Sequence, residues 1–432
     1  MVAAVAFVAR AAVALWAGSR FPPAADGTYY DLLARRIAEG RGYTWAWPDG
    51  SVTPVAHYPV GFPALLGALY AAFGAHPWLA SWVNVLAGVG TAFALHRLAL
   101  RASTERRALL AGIAVALHPA LVLYVPALMT ELLATGLVAG ACALAAPARD
   151  ARRPWAWLGG SGLLLGAATL VRPQSIVLAP ALGALSAPPA WRCGWLRGAA
   201  IATGIALAAC APWTARNCKE MHRCALVSVN GGWNLLIGTQ TESGGWQEID
   251  VPPECRAVWD EAEKDACFER AGRRAIAAHP GAWLARVPAK LRTTLDYFGA
   301  GPWYLHVSNG AAFGEGAKAV AAVVEIVVTR ALLLAALLAV ALSRAAPKAA
   351  RGVAAIGCFL APTHDAWLGY VALALALVLA HARARVLLAV QAAAVLFATF
   401  ALHAAFFGAG RYGLVVAPFV AALAFVRPRV PA

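Results

Sequence analysis

Runs of alanine, leucine and valine alternate along the chain with short polar stretches rich in arginine. A bilayer core of about 30 Å takes roughly 20 helical residues. The runs at 2–19, 77–96, 108–124, 126–146, 155–171, 174–188, 198–213, 316–343, 386–407 and 411–426 approach or meet that length. None alternates in polarity as a barrel strand would, and helices satisfy every backbone group inside lipid. The pattern predicts an all-α polytopic membrane protein of about 10–12 transmembrane helices. Residues 352–381 are predicted as two short helices around Pro362 to Asp365, or as one broken element.

Arginines set the predicted orientation. If 58–74 were a full span, the loop from Arg101 to Arg107 and every later basic loop would fall outside the cell. Reading 58–74 as an interfacial or re-entrant helix on the outer face places all of them inside, down to Arg383, Arg385, Arg427 and Arg429. Both termini are then cytoplasmic in the inner membrane. The first segment, Val2 to Gly18, lacks a basic leader and a small-x-small cleavage site, so it is expected to be a retained helix rather than a secretory signal. Three regions follow: a transmembrane module at 1–213 with a first outer loop at 20–76, an outer polar region at 214–315, and transmembrane helices at 316–432.

Composition supports this. Hydrophobic residues make up 61% and charged residues 13%, against about 25% charged in soluble domains. The net charge of +15 would suit a nucleic-acid partner, but the basic residues sit in short loops and form no soluble basic domain. Nucleic acid is excluded as a partner, and membrane lipids are expected.

Four of the eight cysteines, Cys218, Cys224, Cys255 and Cys267, fall in 214–315. In an oxidising compartment they allow three pairings; Cys218–Cys224 with Cys255–Cys267 is the expected one. The close C-x-x-C spacing of a zinc site is absent.

Candidate chemistry gathers at predicted outer helix ends. Asp26 precedes Tyr29, Tyr30, Leu33 and Ala34 at helical spacing, which fits either a helix cap or a functional carboxylate. His57 to Pro63 forms a proline- and glycine-broken entry beside the surface. Its aromatics either anchor the interface or line a substrate. Arg172, Arg216 and Arg411 each lie at an outer helix end, where a cation is usually an anchor. Converging, they would bind phosphate, which guanidinium matches in charge and geometry. Glu131 is costly if it faces lipid. Arg10 and Glu325 carry the same warning and are expected to be structural.

The order of these motifs resembles superfamily C glycosyltransferases. The match is to the bacterial branch of the dolichyl-phosphate-mannose–protein mannosyltransferases and the lipid A aminoarabinose transferases. The carrying residues are Asp26 with Tyr30, Leu33 and Ala34; Gly40 to Tyr43; Tyr58 to Pro63; Pro126 to Glu131; Val171 to Pro173; Pro212 to Asn217; Val229 to Gly238; and Arg411 with Tyr412. The resemblance implies transfer of a sugar from a polyprenyl-phosphate donor to an acceptor at the outer face, with Asp26 as general base. Arg172, Arg216 and Arg411 become candidates for the donor phosphate; Tyr30, His57, Tyr58, Glu131 and Asn230 become candidates for lining the substrate.

Two departures stand out. Many relatives have arginine where Tyr58 stands. Some follow the aspartate with glutamate where Gly27 stands, so a metal-binding carboxylate pair is not implied at that point. No metal ligands are assigned; a divalent cation is the one cofactor left open, and the acceptor is unassigned. The competing readings are an O-antigen ligase- or polymerase-like enzyme, and a transporter or flippase of lipid-linked sugars. A transporter would carry inverted repeats and charges near the membrane midplane, whereas here the polar clusters lie at one face.

Overall fold

The computed structural model describes residues 1–296, 299–384 and 386–426. Arg385, Arg427 and Arg429 of the predicted cytoplasmic loops lie outside these residues, and so does the side chain of Arg383. The helices are, in order, α1 (Val2–Ala17), α2 (Asp26–Ala38), α3 (Gly61–Phe73), α4 (Leu79–Leu100), α5 (Glu105–Ala116), α6 (Pro119–Leu123) and α7 (Glu131–Ala145). Then follow α8 (Pro154–Val171), α9 (Leu178–Ser186), α10 (Gly194–Glu220), α11 (Gly231–Gln240), α12 (Pro253–Arg256), α13 (Glu261–Ala278) and α14 (Pro280–Ala285). The last are α15 (Val287–Leu295), α16 (Ala300–Ser308), α17 (Glu315–Ala341), α18 (Lys348–Leu360), α19 (Ala366–Ala384), α20 (Leu387–Ala405) and α21 (Ala417–Leu423). The one sheet among the described residues is an antiparallel hairpin of β1 (Thr44–Ala46) and β2 (Val52–Pro54), with Trp45 opposite Thr53.

This is an all-α polytopic membrane protein. Among the described residues, six helices (α4, α7 with its 3₁₀ extension, α8, α10, α17 and α20) are long and apolar enough to cross a membrane, and several shorter apolar helices accompany them. At 13 residues, α3 falls well short of the roughly 20 a full span takes. Where α9 meets α10, Gly183 and Gly198 face each other so closely that a Cβ on either would come within 2.2 Å of the opposing carbonyl oxygen. Small residues at such crossings let membrane helices pack backbone to backbone. Arg10 is fully buried in α1 and donates to Ala116 O at 2.7 Å and Val115 O at 3.3 Å, the carbonyl end of α5. Its charge thus rests on a helix C-terminus, a structural role.

Several boundaries differ from the sequence pattern. The segment predicted as a helix from 126 becomes helical only at Glu131. Before it, the carbonyls of Val125 and Ala127 turn aside to accept from Asn84 Nδ2 at 3.0 and 2.8 Å. The helix predicted to end at 213 runs through Pro212 to Glu220. Its last turns are held by side chains that bind the returning strand of chain: Trp213 and Asn217 both donate to Val227 O, and Thr214 to Leu226 O. The predicted final span 411–426 splits into a 3₁₀ turn, Gly410–Val415, and the short α21 around Pro418. Residues 352–381 are two helices parted at Ala361 to Asp365, the first of the two forms expected.

The region 214–315 is mostly helical. Asp260 caps α13, accepting from the Glu263 N–H at 2.8 Å, and the disulfides Cys218–Cys224 and Cys255–Cys267 are those expected.

Candidate active site

One cavity, of about 560 Å³, opens at the end of the bundle where α2, α7, α11 and the turn after α20 converge. Asp26, Tyr30, His57, Tyr58, Glu131, Asn230, Arg172 and Arg411 all line it. Residues from both ends of the chain thus share one chamber.

Asp26 is the first residue of α2, not its cap. The capping position is Ala25, with φ 50°, and no side-chain cap bond forms there. A non-glycine residue in that region costs of order 1–3 kcal/mol and persists because its surroundings fix it. The Tyr304 hydroxyl accepts from Ala24 N and Leu128 N, both at 3.2 Å, and so ties the start of α2 to the loop before α7. Freed from capping, the Asp26 carboxylate pairs with Arg411, Oδ2 to Nη2, at 2.8 Å. Asp31, the other acid of this helix, is committed to Arg35 at 2.7 Å and to the Tyr70 hydroxyl at 2.5 Å. Gly27 also has a reason. A Cβ there would lie 2.7 Å from Leu128 O and 2.9 Å from the Tyr304 hydroxyl oxygen. This packing leaves no room for a glutamate beside Asp26.

Glu131 opens α7, its side chain 1% exposed. It accepts from Arg172 Nη1 at 2.7 Å and from the Tyr124 hydroxyl at 3.0 Å, and Arg411 Nε stands 3.6 Å away. Arg172 also donates to Thr130 Oγ1 at 3.1 Å. Two carboxylates and two guanidiniums therefore form one connected, charge-balanced cluster, with Glu131 beneath the arginines and Asp26 toward the opening. The Tyr412 ring holds the cations from the side: the Arg172 guanidinium lies 4.8 Å from its centroid, the Arg411 guanidinium 5.2 Å, and His403 stacks on it at 4.6 Å.

Burial, and then the nearby Asp26 and Glu131 charges, push the Tyr30 hydroxyl far above its ordinary range. It stays protonated, so it can donate its O–H to an oxyanion or a hydroxyl and cannot act as a base. Burial likewise lowers the His57 imidazole, against an opposing pull from Asp26, so at neutral pH it adds no cation. Asn230 precedes α11 and accepts from Ser228 Oγ at 3.0 Å.

Arg216 does not join the other two arginines. It lies outside the cavity, donating to Val55 O at 2.8 Å and Tyr43 O at 2.9 Å, with its guanidinium stacked 4.8 Å from Trp213. Its donor fork is occupied by the two edges of the β-hairpin root, so it clamps the first loop. His403 and Gln174, both cavity-lining, carried no signal in the sequence. His403 sits singly on an apolar stretch, and only the fold brings it beside Arg172; Gln174 is already Arg172's neighbour two residues on.

Among the described residues no group of three histidine, cysteine or acidic side chains is placed to hold a metal. The two carboxylates of the cavity are instead neutralised by arginine.

Residues 57–215 match the family model described as dolichyl-phosphate-mannose-protein mannosyltransferase. His57, Tyr58, Glu131 and Arg172 fall within the match; Asp26, Asn230 and Arg411 fall outside it. No curated protein matches the chain in sequence. Among solved structures, an oligosaccharyltransferase from Archaeoglobus fulgidus, tethered to an acceptor peptide, is similar at 12% identity. The alignment covers 98% of this chain and 48% of that one, with a TM-score of 0.48. ArnT from Cupriavidus metallidurans, bound to undecaprenyl phosphate, is similar at 15% identity, covering 97% of this chain and 76% of that one, with a TM-score of 0.41. The chain spans about half the length of the archaeal enzyme. The family whose model matches residues 57–215 is the one that the order of the motifs resembles.

Proposed function

We propose that this protein transfers a sugar from a polyprenyl-phosphate carrier to an acceptor hydroxyl, inverting the anomeric centre, with Asp26 as general base. The observation that carries this reading is the Asp26–Arg411–Glu131–Arg172 cluster in the cavity. It offers a carboxylate near the opening and two guanidiniums behind it, the arrangement that deprotonation of an acceptor and departure of a phosphate require. The cavity end is read as the outer, periplasmic face of the inner membrane, with both termini cytoplasmic, on the arginine distribution alone.

In the reaction the acceptor O–H donates to Asp26 as its oxygen attacks the anomeric carbon. The bond from that carbon to the phosphate oxygen breaks, and the charge left on the phosphate is taken up by Arg172 and Arg411. A retaining route would need a second carboxylate as nucleophile. Glu131 is nearly fully buried and already engaged by Arg172 and Tyr124, so inversion is favoured. With charge balanced by arginine, no step is assigned to a metal ion. The donor phosphate and Asp26 compete for Arg411, so donor binding would release the base as the acceptor arrives.

The test is sugar transfer by purified protein in lipid nanodiscs, offered radiolabelled sugars on polyprenyl phosphate and, separately, as nucleotide sugars. Transfer to membrane-extract acceptors from the lipid donors only is the expected result. Transfer from nucleotide donors, or from none, would remove the proposal.

A further inference from the structure

A row of aromatic rings leads out of the cavity and across the β-hairpin. Tyr58, on the cavity wall, stacks on Tyr29 with centroids 5.1 Å apart; Tyr29 meets Trp45 at 5.6 Å, and Trp45 meets Trp47 at 6.3 Å. Trp45 lies in strand β1 opposite Thr53 and Trp47 just past the strand's end, and the Trp47 indole reaches the Thr53 side chain, so both rings share one face of the hairpin. Trp47 is fixed by donating its indole N–H to Thr53 Oγ1 at 2.9 Å, yet it remains 48% exposed, and Tyr29 remains 40% exposed. Four rings in series, rigid and open on one side, begin beside the Asp26 carboxylate.

Aromatics at a membrane protein's surface commonly form an interfacial belt. The hairpin's anchor argues against that here. Its root is clamped by Arg216, one turn from the end of α10. That helix has 27 residues, about 40 Å at 1.5 Å per residue, against a hydrocarbon core of about 30 Å. Its last turn carries the exposed Lys219 and the partly exposed Glu220, so the hairpin root stands beyond the hydrocarbon. The hairpin turn itself is polar, with Asp49 accepting from Ser51.

We propose that Tyr58, Tyr29, Trp45 and Trp47 form a stacking track for a saccharide chain, and that the acceptor is such a glycan. The C–H face of a pyranose ring packs on an aromatic face, while its hydroxyls stay in water or reach polar neighbours. Rings spaced in succession suit successive sugar units, and the track ends where a terminal hydroxyl would meet the base. This rests on the transferase reading for the role of the bound glycan, but the binding itself is measured without turnover.

The experiment is calorimetric titration of the full chain in nanodiscs with linear manno- and chito-oligosaccharides, using wild type, Trp47→Ala and Trp47→Phe. A parallel measurement in brominated lipid reads the tryptophan quenching that Trp47→Ala removes. Saccharide binding that weakens about tenfold in Trp47→Ala and recovers in Trp47→Phe is the expected result. No binding by wild type, equal binding by all three proteins, or lipid quenching of Trp47 would each overturn the track. Transfer to a Ser/Thr peptide at a rate unaffected by Trp47→Ala would overturn the glycan as acceptor. Failure of every polyprenyl donor in the transfer assay would sink the transferase reading while leaving the titration result standing.

Discussion

Replacing Asp26 with asparagine is expected to cut sugar transfer by about 10²–10⁴-fold, the usual contribution of a positioned general base. Binding of polyprenyl phosphate should hold or tighten. The substitution keeps a hydrogen-bond acceptor for Arg411 Nη2, which Asp26 Oδ2 now meets at 2.8 Å, but removes the charge that competes with phosphate for that arginine. Two readouts therefore move apart: single-turnover transfer falls, and the donor dissociation constant does not rise. A parallel loss of both would place Asp26 in donor binding instead, and unchanged transfer would remove it from the chemistry.

The second large effect concerns Glu131→Gln. Glu131 is the buried counter-charge of Arg172 and stands 3.6 Å from Arg411. Breaking one partner out of a buried ion pair costs about 3–5 kcal/mol, because the remaining charge stays desolvated. Two guanidiniums would face each other with only Asp26 to balance them. A marked drop in the thermal midpoint in detergent is the expected outcome. Added undecaprenyl phosphate, which returns an anion to the arginines, should then raise the midpoint of the variant more than that of the wild type, since a ligand that binds only the folded state stabilises it. Equal midpoints for variant and wild type would show that Glu131 does not carry the cluster.

The apolar runs made the membrane helices legible, because a lipid environment leaves little choice but helix for such stretches. Helix ends were less so. At Glu220 and Glu131 they are decided by side chains reaching to other segments, as Asn217 does to Ala225 and Val227, and Asn84 to Val125. Local propensity would have stopped α10 at Pro212. The disulfides were legible because the paired cysteines are near neighbours in sequence. The partner of Asp26 was not: Arg411 comes from the opposite end of the chain, and nothing in either neighbourhood encodes the meeting. Three arginines at equivalent helix ends looked alike in sequence. In the fold, two face the cavity carboxylates and the third, Arg216, holds the backbone of Tyr43 and Val55. Tyr29, Trp45 and Trp47 lie in one polar stretch of the sequence, but their alignment with Tyr58 depends on how the hairpin packs on α2.

The measurement that most directly tests single displacement at Asp26 is the anomeric configuration of the product, read by NMR after transfer from a polyprenyl-phosphate sugar of known anomer. Inversion is predicted, since Asp26, paired with Arg411 near the cavity opening, is the carboxylate within reach of an acceptor, while Glu131 is buried and held by Arg172 and Tyr124. Retention of configuration would contradict it, because it would require a covalent sugar–enzyme intermediate and a second free carboxylate in the cavity.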